Sequence, residues 1–323
     1  MPTPYQRILV SVDGSSRDHF VTQQALHVAG GDKARLAFIR VVEPIPEQVG
    51  WLAEGFPPPV DLQQMRLEQA RTEMQGLFNR YGLNNRQTRC ILTEGPPHIG
   101  IIRQVLRGGH DLVIRAGDAA HLFTQTIFGS TCRQLMRKCP APVLAVKPLN
   151  DNRHHKLLAA LGPPHTREET LNPFILESTR QLADLDEAEI HVVHVWQPEI
   201  FPQVPAWSSQ LRRQIDQWIT QQEQVRRQWF EQTLEQSGLA RRAQAHFLHG
   251  EPSLTLTEFV NNKQIDLVVM GTVARTGLRG LLTGNTAEKI LQEINCAILA
   301  LKPEGFITPV TLDETDSNRW SGC

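Results

Sequence analysis

The chain is 323 residues long, 40% apolar and 21% charged, with a formal net charge of -1. That length holds two domains, each large enough to bury its own core. The near-zero charge excludes a global field for nucleic acid or anionic lipid, and no apolar run reaches the ~18–20 residues that span a bilayer.

The opening MPTPYQRILVSVDG enters a strand-like run with no basic and apolar leader, so a cytoplasmic chain is expected. In the first half, Ile8–Val12, Leu36–Val42, Arg89–Leu92, Leu112–Ile114 and Val143–Val146 read as short strands. Their continuous apolar character suits strands buried on both faces, hence a parallel sheet. After the second run comes an apolar, Pro-rich loop, Glu43 to Val60. Asp61 then caps a helix predicted to run to about Tyr81, with Leu62, Met65, Ala70, Met74, Leu77 and Tyr81 as its inner stripe. Asn150, Asp151 and Asn152 form a short polar joint.

The second half repeats the first. Asp111 to Pro148 aligns without gaps to Asp266 to Pro303 at a spacing of 155, with ten identities in 38 positions, and both segments end in Lys-Pro. RILVSVDG from Arg7 parallels KLLAALGP from Lys156, and LAFIRVVEP from Leu36 parallels IHVVHVWQP from Ile190. The expected units are 1–149 and 153–304, with a loose tail over 305–323. Each is predicted as a five-stranded, parallel, doubly wound sheet with helices on both faces. The second half also carries an apolar loop, Gln197 to Trp207, and a helix of about Ser208 to Gln236. In that helix Trp218 and Trp229 continue an 11-residue spacing from Trp207, close to three turns, and Leu211, Ile215 and Val225 share their face. This face is expected to pack on the sheet; the alternative is a hydrophobic lid or a surface for another chain. Cys90, Cys132, Cys139, Cys296 and Cys323 lack metal or disulfide spacing and are expected to be reduced, mostly buried thiols. His246-x-x-His249 has metal-ligand spacing but no Cys or carboxylate beside it, so no metal site is expected.

In such a sheet a ligand binds beyond the carboxyl ends of the strands, where strand order reverses. The loops there read Arg115-Ala116-Gly117-Asp118-Ala119, nine residues, then Gly129-Ser130-Thr131. In the second half they read Met270-Gly271-Thr272-Val273-Ala274, nine residues, then Gly284-Asn285-Thr286. At these residues the chain resembles the universal stress protein family (UspA-type domain), twice over and in a tandem layout. The resemblance implies two Rossmann-like, adenine nucleotide alpha hydrolase-like domains, paired with each other through their last strands, Val143–Val146 and Ile298–Leu301. Nucleotide-binding members carry Gly-x-x-Gly, nine residues, then Gly-Ser or Gly-Thr. Glycines there let the backbone approach phosphate, and a helix N-terminus faces it. An Asp ending strand one and a Val ending strand two hold the nucleoside.

The carried-over candidates are Asp13, Val41, Gly129 and Ser130 in the first half and Val195, Gly271, Gly284, Asn285 and Thr286 in the second. Each set is degenerate. Ala116 and Ala119 replace glycines in the first half; Ala274 replaces one in the second, where Gly162 stands in place of the aspartate. No catalytic motif is present: no P-loop, no dinucleotide fingerprint after strand one, no nucleophile elbow. The resemblance therefore implies a non-catalytic stress-response sensor or scaffold. Three further readings stand beside it. One is an ATP-binding switch, ATP being the one cofactor the resemblance allows. Another is a carrier of an apolar, lipid-like metabolite in the second-half pocket. The third is a homodimer of the paired halves.

Overall fold

A computed structural model describes residues 5–31, 33–45, 62–83, 87–117, 128–149, 151–164, 169–198, 209–272 and 285–312. The strands are β1 (Arg7–Val12), β2 (Arg35–Val42), β3 (Thr88–Glu94), β4 (Leu112–Ala116) and β5 (Val143–Val146), then β6 (Lys156–Ala160), β7 (Glu189–Trp196), β8 (Ala243–His249), β9 (Leu267–Gly271) and β10 (Ala297–Leu301). They form one sheet in the order β3-β2-β1-β4-β5-β10-β9-β6-β7-β8. Pairing is parallel within each half. At the seam it is antiparallel, with Leu299 opposite Leu144 and Ile298 opposite Ala145. The two halves are thus joined through their last strands, as the family resemblance implies.

The described helices are α1 (Asp18–Ala29), α2 (Leu62–Tyr81), α3 (Pro97–Gly108), α4 (Ser130–Lys138), α5 (Asn172–Asp186), α6 (Ser209–Gln236), α7 (Pro252–Lys263) and α8 (Asn285–Glu293). Alternate strand residues face opposite sides, so the sheet carries two cores. Ile8, Val10, Leu157 and Ala159 pack under α1, α2, α5 and the end of α6. Leu9, Val113, Leu158 and Val268 pack under α3, α4, α7 and α8. Proline at the first turn of α3, α5 and α7 suits positions whose N–H has no helical partner. Glycines with φ of 60° and 57° at Gly30 and Gly109 close α1 and α3 in the left-handed conformation that favours glycine.

Two helix expectations need correction. In α2 the buried residues are Ala70, Met74 and Phe78, while Met65 is 56% exposed. Met65 lies five residues from Ala70, about 140° around the helix, so it cannot share that stripe. In α6, Phe230 and Leu234 are buried, but Leu211, Trp218 and Val225 are exposed, Trp218 by 50%. The 28 residues of α6 span about 42 Å, against about 25 Å for the strands β7 and β8 beside it. Its second half meets the sheet, where Glu223 reaches His249 and Trp229 packs on His194 as the predicted face requires. Asp61, Trp207 and both apolar loops lie outside the described residues, apart from their first residues.

Cys132, Cys139 and Cys296 are free and buried. Cys90 is disulfide-bonded, so the expectation of reduced thiols fails there. No described helix is long and apolar enough to cross a membrane.

On one face of the seam, Asp186 at the end of α5 accepts from His154 N and Nδ1, both at 2.9 Å, and pairs with His27 of α1. Burial would raise the Asp186 carboxyl, but these two histidines hold it well below the usual carboxylate range. On the other face, Arg137 of α4 pairs with Glu288 of α8.

Candidate functional site

The order β3-β2-β1-β4-β5 reverses direction at β1, as β8-β7-β6-β9-β10 does at β6. A crevice lies at the carboxyl end of each switch. Pairing of β1 with β2 ends at Val12 and Arg40, so Val41 stands one residue beyond it. Pairing of β6 with β7 ends at Ala160 and Val193, so Val195 stands two beyond. Both valines lie next to last in their strands and pack against the core on the α3 and α7 side of the sheet.

Among the described residues, ion pairs line the first crevice. Asp13 follows β1, and its carboxylate accepts from Ser15 N and from Arg17 Nη2, both at 3.0 Å. Arg115, buried in β4, donates to Ser11 Oγ at 3.0 Å and lies 3.8 Å from Asp13 Oδ2. Burial would raise the Asp13 carboxyl, but Ser15 and the two guanidinium groups outweigh it and hold it below its ordinary value. Asp18 opens α1 and accepts from Asp13 N at 3.0 Å and Gly14 N at 2.8 Å, which fixes the loop. Burial, with a contribution from the neighbouring Asp13 charge, pushes Asp18 up to about 6. Above the loop, Arg40 of β2 pairs with Glu73 of α2. Gly14 has φ +83°, and a Cβ there would fall 2.6 Å from each member of that pair. The loop's glycine thus admits the chain's own Arg40–Glu73 pair.

Ala116 ends β4, buried, where the motif has its first glycine. The next amide, Gly117 N, donates to Val146 O at 2.8 Å rather than facing the crevice. Gly129 and Ser130 open α4; Gly129 is extended and no side chain caps the helix. Ala119 lies outside the described residues.

The second crevice is filled by an apolar side chain. Gly162 replaces the aspartate, and Asn172 at the start of α5 takes over the loop. Its Oδ1 accepts from Gly162 N at 2.9 Å, and its Nδ2 donates to Gly162 O at 3.2 Å. Ahead of α5, a 3-10 turn (Glu169–Leu171) carries the buried Leu171 over Gly271. A Cβ on Gly271 would meet Leu171 Cδ2 at 2.6 Å. Gly271, kept from the motif, therefore makes room for a leucine. Thr272 N donates to Leu301 O at 3.3 Å, the counterpart of the Gly117 bond. Asn285 and Thr286 open α8, but Gly284, Ala274 and the side chains of Asn285 and Thr286 lie outside the described residues.

His246 and His249 do not converge. Three positions apart on β8, they take opposite faces. His246 meets His191 at 3.1 Å and the Phe259 ring, and His249 meets Glu223 of α6 at 3.2 Å. Among the described residues there is no cluster of three or more metal-ligating side chains. The four-residue spacing of Asp13 and Arg17 was the one sequence signal for the first crevice's filling. Leu171 gave none, because it sits 100 positions from the glycine it covers.

A doubly wound α/β pair with a crevice at each strand switch is the architecture of nucleotide-binding α/β proteins. The universal stress protein family model matches residues 4–147 and 173–302, and the chain belongs to that family. Universal stress protein E of Salmonella typhi is 31% identical over 230 residues, covering 70% of this chain and 71% of that protein. Its namesake from Photorhabdus laumondii subsp. laumondii is 25% identical over 324 residues, covering 95% and 98%. A functionally unknown protein from Pseudomonas aeruginosa PAO1 shares the fold, with a TM-score of 0.71 at 20% identity over 94% of this chain and 95% of that one.

Proposed function

We propose that this universal stress protein is a non-catalytic sensor or scaffold whose strand-end crevices serve as internal joints. Its working units are residues 1–149 and 153–304. The observation that carries the reading is Leu171 seated on Gly271, where a close-approaching phosphate would otherwise lie. The Asp13–Arg17 pair supports the same reading in the first half. Calorimetry and thermal shift with ATP and Mg²⁺ test it: neither heat nor a rise in Tm is expected. Saturable binding with one nucleotide per chain would overturn it.

The ATP-binding switch is favoured by one feature, the uncapped N-terminus of α4 at Gly129 and Ser130. If that reading holds, Gly129→Val abolishes the binding and leaves Tm without nucleotide nearly unchanged. Native mass spectrometry of protein purified without detergent covers the carrier reading: the expected mass is that of the chain alone.

A further inference from the structure

Both halves end in Lys-Pro, and each lysine crosses the seam. Lys147, after β5, donates to Asn295 Oδ1 at the end of α8 on an exposed surface. Lys302, after β10, turns its amine inward to Met136 O of α4 and to Thr272 Oγ1. Thr272 Oγ1 itself donates to Met136 O at 2.9 Å, so it accepts from the lysine. Lys302 is thus held by two neutral acceptors, and among the described residues it makes no ion pair.

A neutral amine has two N–H donors, which these two acceptors satisfy. An ammonium has a third donor and a full charge, and burying either without a partner is costly. Among the described residues, the surrounding groups supply no counter-ion. Arg137 of α4 repels a charge on Lys302, and Glu288 of α8 is taken by Arg137. Burial pushes the Cys139 thiol up to about 12, so it too stays neutral. Two features favour the charged form. The Phe306 ring lies 5.2 Å from Nζ, and Met136 O belongs to the negative end of a helix. Burial outweighs them and pushes the Lys302 amine down to about 7.

We propose that the seam between the halves is a pH-sensitive clasp that acidification loosens, with Lys302 as the group that takes up the proton. This goes beyond the scaffold reading and does not depend on it. The chain would register a drop in cytoplasmic pH as a change in how its two halves are held.

The sign follows from linkage. A lysine neutral in the folded state and charged in the unfolded state binds fewer protons when folded, so stability rises with pH across that interval. His98, His110, His191 and His246, also lowered by burial, act below about pH 7. Cys139 and Cys296 act in the opposite sense as unfolded thiols ionise, from about pH 7.5 upward. Lys147, lowered by burial on the same seam, acts in the same sense as Lys302, so Lys302 is isolated by the difference between wild type and a Lys302 variant, in which the other groups cancel.

The test measures proton uptake on unfolding near pH 8, by calorimetry in two buffers of different ionisation enthalpy. Wild type is expected to take up about one proton more than Lys302→Met. Its Tm is expected to climb from pH 7 to 8.5 relative to that variant. Hydrogen exchange of β5 and β10 amides, corrected for intrinsic rate, is expected to quicken below pH 7 in wild type only. Equal proton uptake in the two proteins would overturn the proposal, as would seam exchange that ignores pH. If Lys302→Met does not fold, Lys302→Gln replaces it: a wild-type excess near one proton supports the clasp, and no excess rejects it.

Discussion

The two crevices occupy the same place in two copies of one fold and are closed by opposite chemistry. In the first, Asp13, Arg17, Arg115, Arg40 and Glu73 form a partly solvated ionic plug. In the second, Leu171 lies buried on Gly271, and a neutral Asn172 holds the loop that Asp18 holds in the first. An ionic plug exposed to water contributes little net stability, whereas a buried leucine contributes a great deal. The second crevice should therefore act as part of the core and the first as a surface that happens to be closed.

The largest test of that contrast is Leu171→Ala. Removing a buried leucine costs about 2–5 kcal/mol, depending on how far the cavity collapses. Chemical denaturation should show a lowered midpoint with an unchanged slope. A loss under about 1 kcal/mol would mean that Leu171 is not a core residue and that the crevices are alike. Gly271→Ala approaches the same contact from the other side. Its new methyl must displace Leu171 Cδ2, and overpacking of this kind costs about 1–3 kcal/mol. Leu171→Ala should partly rescue Gly271→Ala, since it vacates the clashing atom, and a double-mutant cycle reads that coupling.

Much of this architecture was legible in the sequence. The repeat was, because apolar strands buried on both faces must keep their pattern in each copy. The pairing of β5 with β10 came from the family resemblance, not from the strand pattern itself. The crevice fillings were not. Gly271 matches the motif whether phosphate or Leu171 approaches it, and only tertiary contact separates the two. The tryptophan spacing fixed a face of α6, but periodicity cannot tell whether sheet lies under that face along its whole length. His246 and His249 looked like ligands at a spacing that gathers side chains on a helix and separates them on a strand.

A smaller effect separates the loop anchors. Asp18 is raised from an ordinary value of 3.8 to about 6, so the folded chain holds a proton that the unfolded chain has lost. Its contribution is complete below about pH 4 and is lost as pH rises to about 6. Asn172 cannot titrate. The Tm of wild type minus that of Asp18→Asn should therefore fall between pH 4 and 6, by a few degrees for an effect on the order of 1 kcal/mol after allowance for screening. No such trend is expected when Asn172→Ala replaces Asp18→Asn, although that variant should lose about 1–3 kcal/mol at every pH for its two broken hydrogen bonds.

The smallest expected effect is the most informative about the first crevice. Arg17 and Asp13 each keep about a quarter of their side chain in water, 26% and 28%. An ion pair at that exposure contributes about 0–1 kcal/mol, so Arg17→Ala should leave the denaturation midpoint nearly unchanged. It should also free one oxygen of Asp13 while Arg115 keeps that carboxylate charged. The variant thereby separates two reasons for a closed crevice. If Arg17 alone occludes the nucleoside end, Arg17→Ala gains adenosine binding detectable by calorimetry. If the Arg40–Glu73 pair over Gly14 also blocks it, the variant stays silent. Binding would then need Glu73→Ala as well. A stability loss above about 2 kcal/mol for Arg17→Ala would place the ionic plug in the core beside Leu171 and erase the difference between the two halves.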